Sequence, residues 1–325
     1  LIISCGGKSA IKTGSDGSAY NIVKKYHYLL NVSPNLKIAD YSIIHLEKVK
    51  IINRIFDEMY ISKNPLFEKF INDFCEKDDT DLKNYILNID NKLNMKIDKE
   101  KYINTYFENY LSDKKISEYI FEYEKLIKDK LVQIKDALED ISFICDGKYY
   151  EKLFDSLRSL IEQNNYVDIK DNLDVKLPQL PKNSEENLKE KKNYLTNLIK
   201  NLKDLCIYDN YLQIRDSFGM TFDYVTIILD IIKKLDFEIN QFKYSNDLFE
   251  FSDIAKMSID VIKNNKNVKE ELRNKFNEIM VDEYQDTSDL QEYFINLIGN
   301  NNIYMVGDIK QSIYRFRNAN PDIFK

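Results

Sequence analysis

The sequence contains few of the residues that interrupt helices: it has 8 glycines and 5 prolines among 325 residues, and no tryptophan. No glycine occurs between Gly17 and Gly147, and no proline occurs between Pro65 and Pro178. Glycine and proline both destabilise the interior of a helix, so their absence predicts long helices in this part of the chain.

Apolar residues recur at helical spacing within this helix-rich region and beyond it. The pattern over residues 116–127 predicts one face of a helix, and the pattern over residues 224–232 predicts another. Between these two helices, residues 177–184 contain two prolines, which predicts a loop. We expect Ser184 to be the N-cap of the helix that follows this loop.

Metal-binding residues are also scarce. The chain has 4 cysteines without a Cys-x-x-Cys pair and only 2 histidines, which argues against structural zinc and iron–sulfur sites. We therefore expect the cysteines to be reduced. The sequence has no continuous apolar run of about 18 residues, so no transmembrane helix is expected. Its first residues do not form a secretory signal, so a cytoplasmic location is expected.

The net charge of −7 excludes a generic polycationic nucleic-acid binder, but it permits a local basic track. Residues 281–292 contain five acids and no basic residue, which fits a metal site. Residues 308–325 contain four basic residues against two acids, which fits a loop that faces DNA. The long charged middle of the chain fits a solvated helical surface.

Two short apolar segments each end in a polar motif. Residues 279–281 are followed by Asp282 and Glu283, and residues 303–306 are followed by a segment that ends at Arg317. A buried strand that ends in two acids offers one carboxylate to a metal ion and a second to a water molecule, as nucleoside triphosphate hydrolysis requires. Taken alone, adjacent acids also fit the solvated N-terminus of a helix.

The context of these acids resembles a known family. Residues 282–287, Gln291 and residues 306–317 resemble motifs II and III of the UvrD/Rep branch of superfamily 1 DNA helicases. The sequence is most similar to the AddA helicase–nuclease subunits of bacterial AddAB complexes. This similarity is suggested by residues 308–311, by Arg315 and by Phe316, which stands where many relatives in the branch carry tryptophan. The resemblance runs discontinuously from about residue 19 to the end and includes three shorter stretches, at residues 35–40, 55–60 and 251–254.

The resemblance implies a role for several residues in ATP hydrolysis. Asp282 resembles the acid that holds Mg²⁺, and Glu283 resembles the general base that activates the attacking water. Gln311 resembles the sensor of the γ-phosphate, which links the nucleotide state to the grip on DNA. These three residues are therefore expected to contact ATP, Mg²⁺ or the attacking water.

Three residues near the end of the chain resemble those that contact single-stranded DNA: Tyr314, Phe316 and Arg317. Aromatic rings can stack on any base, and arginine adds phosphate or stacking contacts. Core packing after a strand is the alternative for Tyr314 and Phe316, but the interleaved arginines favour a solvated, anionic partner.

The beginning of the chain resembles a shortened P-loop. An apolar segment at residues 1–4 leads into Gly7, Lys8 and Ser9, which resemble the phosphate-binding glycine and lysine and the Mg²⁺-binding serine. The loop is about three residues shorter than the usual pattern, so an unrelated glycine-rich turn remains the alternative. The linker-like residues 13–18 stand where motif Ia of the family would lie.

The resemblance implies a fold that is mainly α with a small α/β part, namely a partial RecA-like P-loop domain (1A) that carries a large helical insertion of the 1B type. Residues 1–18 would be a remnant of domain 1A, residues 19–245 the helical insertion, and residues 246–325 the return to domain 1A with motifs II and III. Three short parallel strands are expected, at residues 1–4, 278–282 and 303–306.

The function that the resemblance implies is part of an ATP-dependent DNA helicase–nuclease subunit in double-strand-break repair and recombination. Its partners would be single- and double-stranded DNA and a protein of the AddB type, and no association with a membrane is expected. Motifs IV to VI and the nuclease domain are not found in the sequence, so we expect negligible helicase and nuclease activity from this chain alone. The alternatives are a non-catalytic nucleotide- or DNA-binding scaffold and an unrelated P-loop ATPase or kinase; the segment around Gln311 disfavours the latter.

Overall fold

The structure of the chain, a computed structural model, describes residues 18–311. Most of this part is helical and its strands are short, so the prediction of a mainly helical chain is confirmed. The chain divides into two compact units. Unit 1 comprises Leu1–Asn104 and Tyr224–Lys325, and unit 2 comprises Thr105–Asp223. In the described part of the chain, every helix is too short or too polar to cross a lipid bilayer.

The first half of unit 1 consists of helices and one short strand, and two of the helices are capped by side chains. Its elements are α1 (Ser18–Lys25), β1 (Lys37–Ile38), α2 (Tyr41–Ser62), α3 (Pro65–Phe74), α4 (Thr80–Leu93) and α5 (Lys99–Asn104). The carboxylate of Asp40 accepts the Ser42 N–H at 2.8 Å and so caps α2. Helix α2 ends at Lys63, which takes the left-handed conformation, and Asn64 then caps α3. These caps explain why two helices form with so short a connection.

Unit 2 is helical throughout its described elements. They are α6 (Tyr106–Tyr110), α7 (Asp113–Ser142), α8 (Gly147–Ile161), α9 (Tyr166–Asp171), α10 (Glu186–Leu205) and the first part of α11 (Tyr211–Asn246), which belongs to unit 1 from Tyr224 onward. The core of unit 2 includes Ile127, Leu153 and Leu195, all fully buried. The helices predicted over residues 116–127 and 224–232 lie within α7 and α11, so both are confirmed.

The loop predicted at residues 177–184 is confirmed, but its predicted N-cap is wrong. Helix α10 begins at Glu186, and Glu185 is the residue at the N-cap position. The hydroxyl of Ser184 instead donates to the carbonyl oxygen of Pro181 at 2.8 Å. The side chain thus closes the preceding turn and does not cap the helix.

The chain returns to unit 1 through α11 and forms two small parallel sheets there. The elements are β2 (Leu248–Phe249), α12 (Phe251–Asn264), α13 (Lys266–Lys275), β3 (Ile279–Val281), α14 (Asp289–Ile298) and β4 (Ile303–Met305). Strand β1 pairs with β2, and β3 pairs with β4, both in parallel. The strands predicted at residues 278–282 and 303–306 are therefore confirmed, whereas the strand predicted at residues 1–4 lies outside the described residues.

Helices α12, α13 and α14 pack together beside strand β3. Ile262, Phe294 and Ile298 are buried in this core, and Ile279 of β3 joins them. The compact units have other boundaries than the predicted segments 19–245 and 246–325, because residues up to Asn104 cluster with unit 1. The assignment of those segments to a 1B-type insertion and a 1A domain stays a prediction.

Candidate active site

The two predicted acids lie directly after strand β3. Ile279 is buried at the start of this strand, while Asp282 and Glu283 are exposed at its carboxyl end. Glu283 has φ 51° and ψ 44°, the left-handed conformation, which is uncommon for a residue other than glycine. The Asp282 Oδ1 atom accepts the Glu283 N–H at 2.9 Å. This turn presents both carboxylates at the same end of the strand.

The segment after strand β4 runs beside this acidic turn. The Val306 N–H donates to the Val281 carbonyl oxygen, and the Tyr284 N–H donates to the Val306 carbonyl oxygen, each at 2.9 Å. The parallel pairing therefore continues past the strands into the two loops. Beyond Gly307, a short 3₁₀ turn spans Ile309–Gln311, and Asp308 Oδ1 accepts the Lys310 N–H at 2.9 Å.

A buried amide joins the two loops. Gln285 is only 1% exposed. Its Nε2 atom donates to Glu283 Oε2 at 2.5 Å, and its Oε1 atom accepts the Asp308 N–H at 2.9 Å. The same side chain therefore contacts the predicted general base and the backbone of the loop that follows β4.

The rest of the acidic turn is anchored to helix α14. The hydroxyl of the buried Tyr284 donates to Glu292 Oε1 at 3.1 Å. Burial is the larger cause and this hydrogen bond the second cause that raises the pKa of Tyr284 to about 12. The Ser288 and Gln291 side chains form a capping box at the start of α14. The Asp286 Oδ1 atom is buried without a hydrogen-bond partner in the structure. Side chains of helix α14 thus hold the later part of the turn, from Tyr284 to Ser288.

The charges around the acidic turn suit a divalent cation bound together with phosphates. Neither Asp282 nor Glu283 forms an ion pair with another residue in the range 18–311. The described residues contain no cluster of three or more His, Cys, Asp and Glu side chains that would enclose a metal. Mg²⁺ characteristically binds through one or two carboxylates, water and substrate phosphates, without an all-protein cage. A single exposed carboxylate such as Asp282 therefore fits Mg²⁺ as part of a nucleotide complex.

The structure brings together only some of the predicted site residues. Asp282 and Glu283 are adjacent, and the backbone of Gln311 ends the 3₁₀ turn after β4. The other predicted residues lie outside the described residues: Gly7, Lys8, Ser9, Tyr314, Phe316 and Arg317. Sequence reasoning missed the role of Gln285, whose only signal was its place inside the motif at residues 282–287.

Comparisons with known proteins agree with the resemblance of the motifs. A family model described as the UvrD/REP helicase N-terminal domain matches residues 10–325. The chain is 25% identical over 338 residues to the A subunit of the ATP-dependent helicase/nuclease of Ligilactobacillus salivarius, a match that covers 93% of this chain and 27% of that protein. It is 30% identical over 345 residues to the protein of the same name from Streptococcus thermophilus, covering 95% of this chain and 28% of that protein.

A third similar protein is the A subunit of the ATP-dependent helicase/nuclease of Streptococcus pneumoniae, with 27% identity over 346 residues. The match covers 95% of this chain and 28% of that protein. The chain thus spans little more than a quarter of the length of the curated relatives that it matches.

Proposed function

Because the chain belongs to the UvrD/REP helicase N-terminal domain family, we propose that it forms part of an ATP-dependent DNA helicase–nuclease subunit. In this role it contributes to ATP hydrolysis coupled to translocation on single-stranded DNA, in the repair of double-strand breaks. The names of its relatives, which include both a helicase and a nuclease activity, support this proposal.

The observation that carries the proposal is the pair of joined loops at the carboxyl ends of β3 and β4. Ligands of parallel α/β sheets bind in the crevice outside the carboxyl ends of the strands. The two exposed carboxylates lie at this edge, and the loop that leads to Gln311 is joined to the Glu283 carboxylate through the Gln285 side chain. We therefore place the nucleotide site at this edge of unit 1.

Each residue of the proposed site has one task. Asp282, together with Ser9, holds Mg²⁺, which neutralises phosphate charge when it is bound. Gly7 and Lys8 contact the phosphates, and Gln311 contacts the γ-phosphate. The carboxylate of Glu283 orients the attacking water and accepts its proton.

The same proposal assigns the fold and the partners. Strands β3 and β4 with helix α14 would be part of a RecA-like 1A domain, and the helices within residues 19–245 would form its 1B-type insertion. Tyr314, Phe316 and Arg317 would contact single-stranded DNA, and other surfaces would contact the duplex. The relatives are named as one subunit of their enzymes, which supports a second protein in the complex, and we propose that it is of the AddB type.

Nucleotide binding tests the ATP site directly. Titration of the chain with a fluorescent ATP analogue and Mg²⁺ should give at least tenfold weaker binding for Lys8→Ala and for Asp282→Asn. The Asp282→Asn effect should disappear without Mg²⁺. Lys263→Ala, which removes an exposed lysine from α12, is the control and should bind normally. Equal affinities for all four proteins would contradict the proposal.

Binding of single-stranded DNA tests the second part of the proposal. At one fixed low salt concentration, Phe316→Ala should weaken binding about tenfold, because loss of stacking costs about 1–3 kcal/mol per base. Phe143→Ala is a matched control, since Phe143 is 78% exposed in unit 2 and has no proposed contact with DNA. Unchanged affinity of Phe316→Ala would show that this ring does not stack on bases.

A further inference from the structure

The side chain of Gln285 makes one contact that the pairing of the two loops does not require. The loops after β3 and β4 are already joined by two backbone hydrogen bonds, from Val306 to Val281 and from Tyr284 to Val306. The Gln285 Oε1 atom adds a third bond between the loops, to the Asp308 N–H. The bond from its Nε2 atom to Glu283 joins two residues of the same turn, and therefore adds nothing to the pairing of the loops.

The hydrogen bond to Glu283 restricts a side chain that would otherwise be free to rotate. Glu283 is exposed, and a glutamate side chain has several rotamers in solvent. A general base must be held close to the productive geometry, because a displacement of about 1 Å can lower a rate about 100-fold. The 1% exposure of Gln285 fixes the donor, and the donor in turn fixes one oxygen of the Glu283 carboxylate.

The backbone around Glu283 supports the same interpretation. Its φ of 51° is strained for a residue with a Cβ atom, and such strain persists where the surroundings hold the residue in place. The left-handed turn directs Glu283 away from the path of strand β3, and Gln285, two residues later, is the partner of its carboxylate. Backbone and side chain together set where the second carboxylate oxygen points.

We propose that Gln285 is a positioning residue for ATP hydrolysis: it orients the carboxylate of Glu283 and sets its position relative to the loop Gly307–Gln311. The inference rests on the proposed function, since it takes Glu283 to be the general base. It extends that function because the Gln285 side chain links the general base, Glu283, to the loop that leads to Gln311, the residue proposed to contact the γ-phosphate. A change in the position of Asp308 would therefore be transmitted to Glu283.

The variant Gln285→Glu separates the two contacts of this side chain. It keeps an oxygen that can accept the Asp308 N–H, but it replaces the donor to Glu283 by a second carboxylate oxygen. In single-turnover ATP hydrolysis by the complete subunit of which this chain is proposed to form part, with the protein in excess, the rate should fall at least tenfold. The affinity for the Mg²⁺–ATP analogue should stay within about twofold. A merely structural glutamine would not produce this separation of rate from affinity.

Gln291→Glu is the matched control. Gln291 lies nearby, and its Oε1 atom accepts from the Ser288 N–H and hydroxyl at 2.9 Å, contacts that a glutamate can also make in a capping box. The hydrolysis rate of the subunit that carries this substitution should equal that of the unmodified subunit. Equal rates for Gln285→Glu and Gln291→Glu would overturn the positioning role and leave the proposed function intact. No hydrolysis by the unmodified subunit would overturn the proposed function itself.

A second measurement does not depend on activity. Hydrogen exchange of the Gln285 side-chain amide, followed by NMR, should be at least tenfold faster in Glu283→Ala than in the unmodified chain, because the acceptor of its Nε2–H is removed. The exchange of the Asp308 backbone amide should change much less, since its bond to Gln285 Oε1 remains. An unchanged rate at the Gln285 side chain would show that this amide does not hold Glu283.

Discussion

The hydroxyl of Tyr166 is hydrogen-bonded to both backbone groups of Tyr208: it donates to the carbonyl oxygen at 2.5 Å and accepts the N–H at 3.1 Å. Tyr166 is 1% exposed and lies at the start of α9, while Tyr208 lies in the connection between α10 and α11. Two bonds from a single buried hydroxyl therefore hold this connection against α9 in unit 2.

Replacement of this hydroxyl should destabilise unit 2. Tyr166→Phe leaves a donor and an acceptor of Tyr208 without their partner, and we expect a loss of about 1–3 kcal/mol in the free energy of unfolding. Tyr149→Phe is the matched control, because the Tyr149 hydroxyl is buried without any hydrogen-bond partner in the structure. Removal of that hydroxyl should leave stability unchanged or raise it. Denaturant unfolding followed by circular dichroism measures both variants, and equal losses would contradict the assignment.

Gly299 follows α14 and leaves no space for a side chain. A Cβ atom placed on Gly299 would overlap the side chain of Ile303 in β4. Gly299→Ala should therefore lower the free energy of unfolding by about 1–3 kcal/mol, as overpacking usually does. The expected loss reflects displacement of β4 or of the Ile303 side chain, since the backbone at Gly299 has φ −70° and is not itself strained.

Gly219 provides the comparison for this substitution. It lies exposed within α11, and a Cβ atom placed on it would meet nothing within 4 Å. Gly219→Ala should raise stability by about 1 kcal/mol, because alanine favours the helix over glycine by that amount. The two variants should shift the midpoint of thermal unfolding in opposite directions, and a shift in the same direction would contradict the contact at Ile303.

The sequence was sufficient to predict strands β3 and β4 and the place of the two acids at the end of β3. Residues 279–281 and 303–305 are short apolar runs followed by polar motifs, and this local pattern needs no knowledge of distant residues. The roles proposed for Asp282 and Glu283 come from the resemblance of their motif, and both residues lie directly after β3 in the structure. Local pattern therefore predicted where the site begins.

Contacts between distant segments could not be predicted in the same way. The bond between Gln285 and Asp308 depends on the register of β3 against β4, which three-residue strands specify only weakly. Strands β1 and β2 have two residues each and lie far apart in the sequence, so no periodicity marked them. For the same reason the association of residues up to Asn104 with unit 1 was not predicted.

A buried carboxylate in unit 1 gives the last prediction. Asp90 of α4 is fully buried, and its carboxylate accepts hydrogen bonds from the ammonium groups of Lys48 and Lys99, with N–O distances of 2.8 and 2.5 Å. Lys48 lies on α2 and Lys99 on α5, so this carboxylate joins three helices. Asp90→Asn would remove the charge that both ammonium groups share, although Lys99 keeps Asp236 at 2.6 Å and Lys48 keeps Glu250 at 3.9 Å. We therefore expect a loss of about 3 kcal/mol, at the lower end of the range for breaking a buried ion pair. Asp129→Asn, at an exposed position of α7, should change stability by less than about 0.5 kcal/mol.

The contribution of Asp90 should also depend on pH with a defined sign. Burial acts to raise the pKa of Asp90, but Lys48 and Lys99 outweigh it and hold the pKa below its ordinary value of 3.8. A group whose pKa is lower in the folded state stabilises the protein fully above the unfolded value and loses this effect as the pH falls through the folded value. The difference in unfolding free energy between the unmodified chain and Asp90→Asn should therefore be constant above about pH 5 and shrink below pH 3.8. Urea unfolding of both proteins at a series of pH values measures this difference, and a gap that widens on acidification would contradict the ion pairs at Asp90.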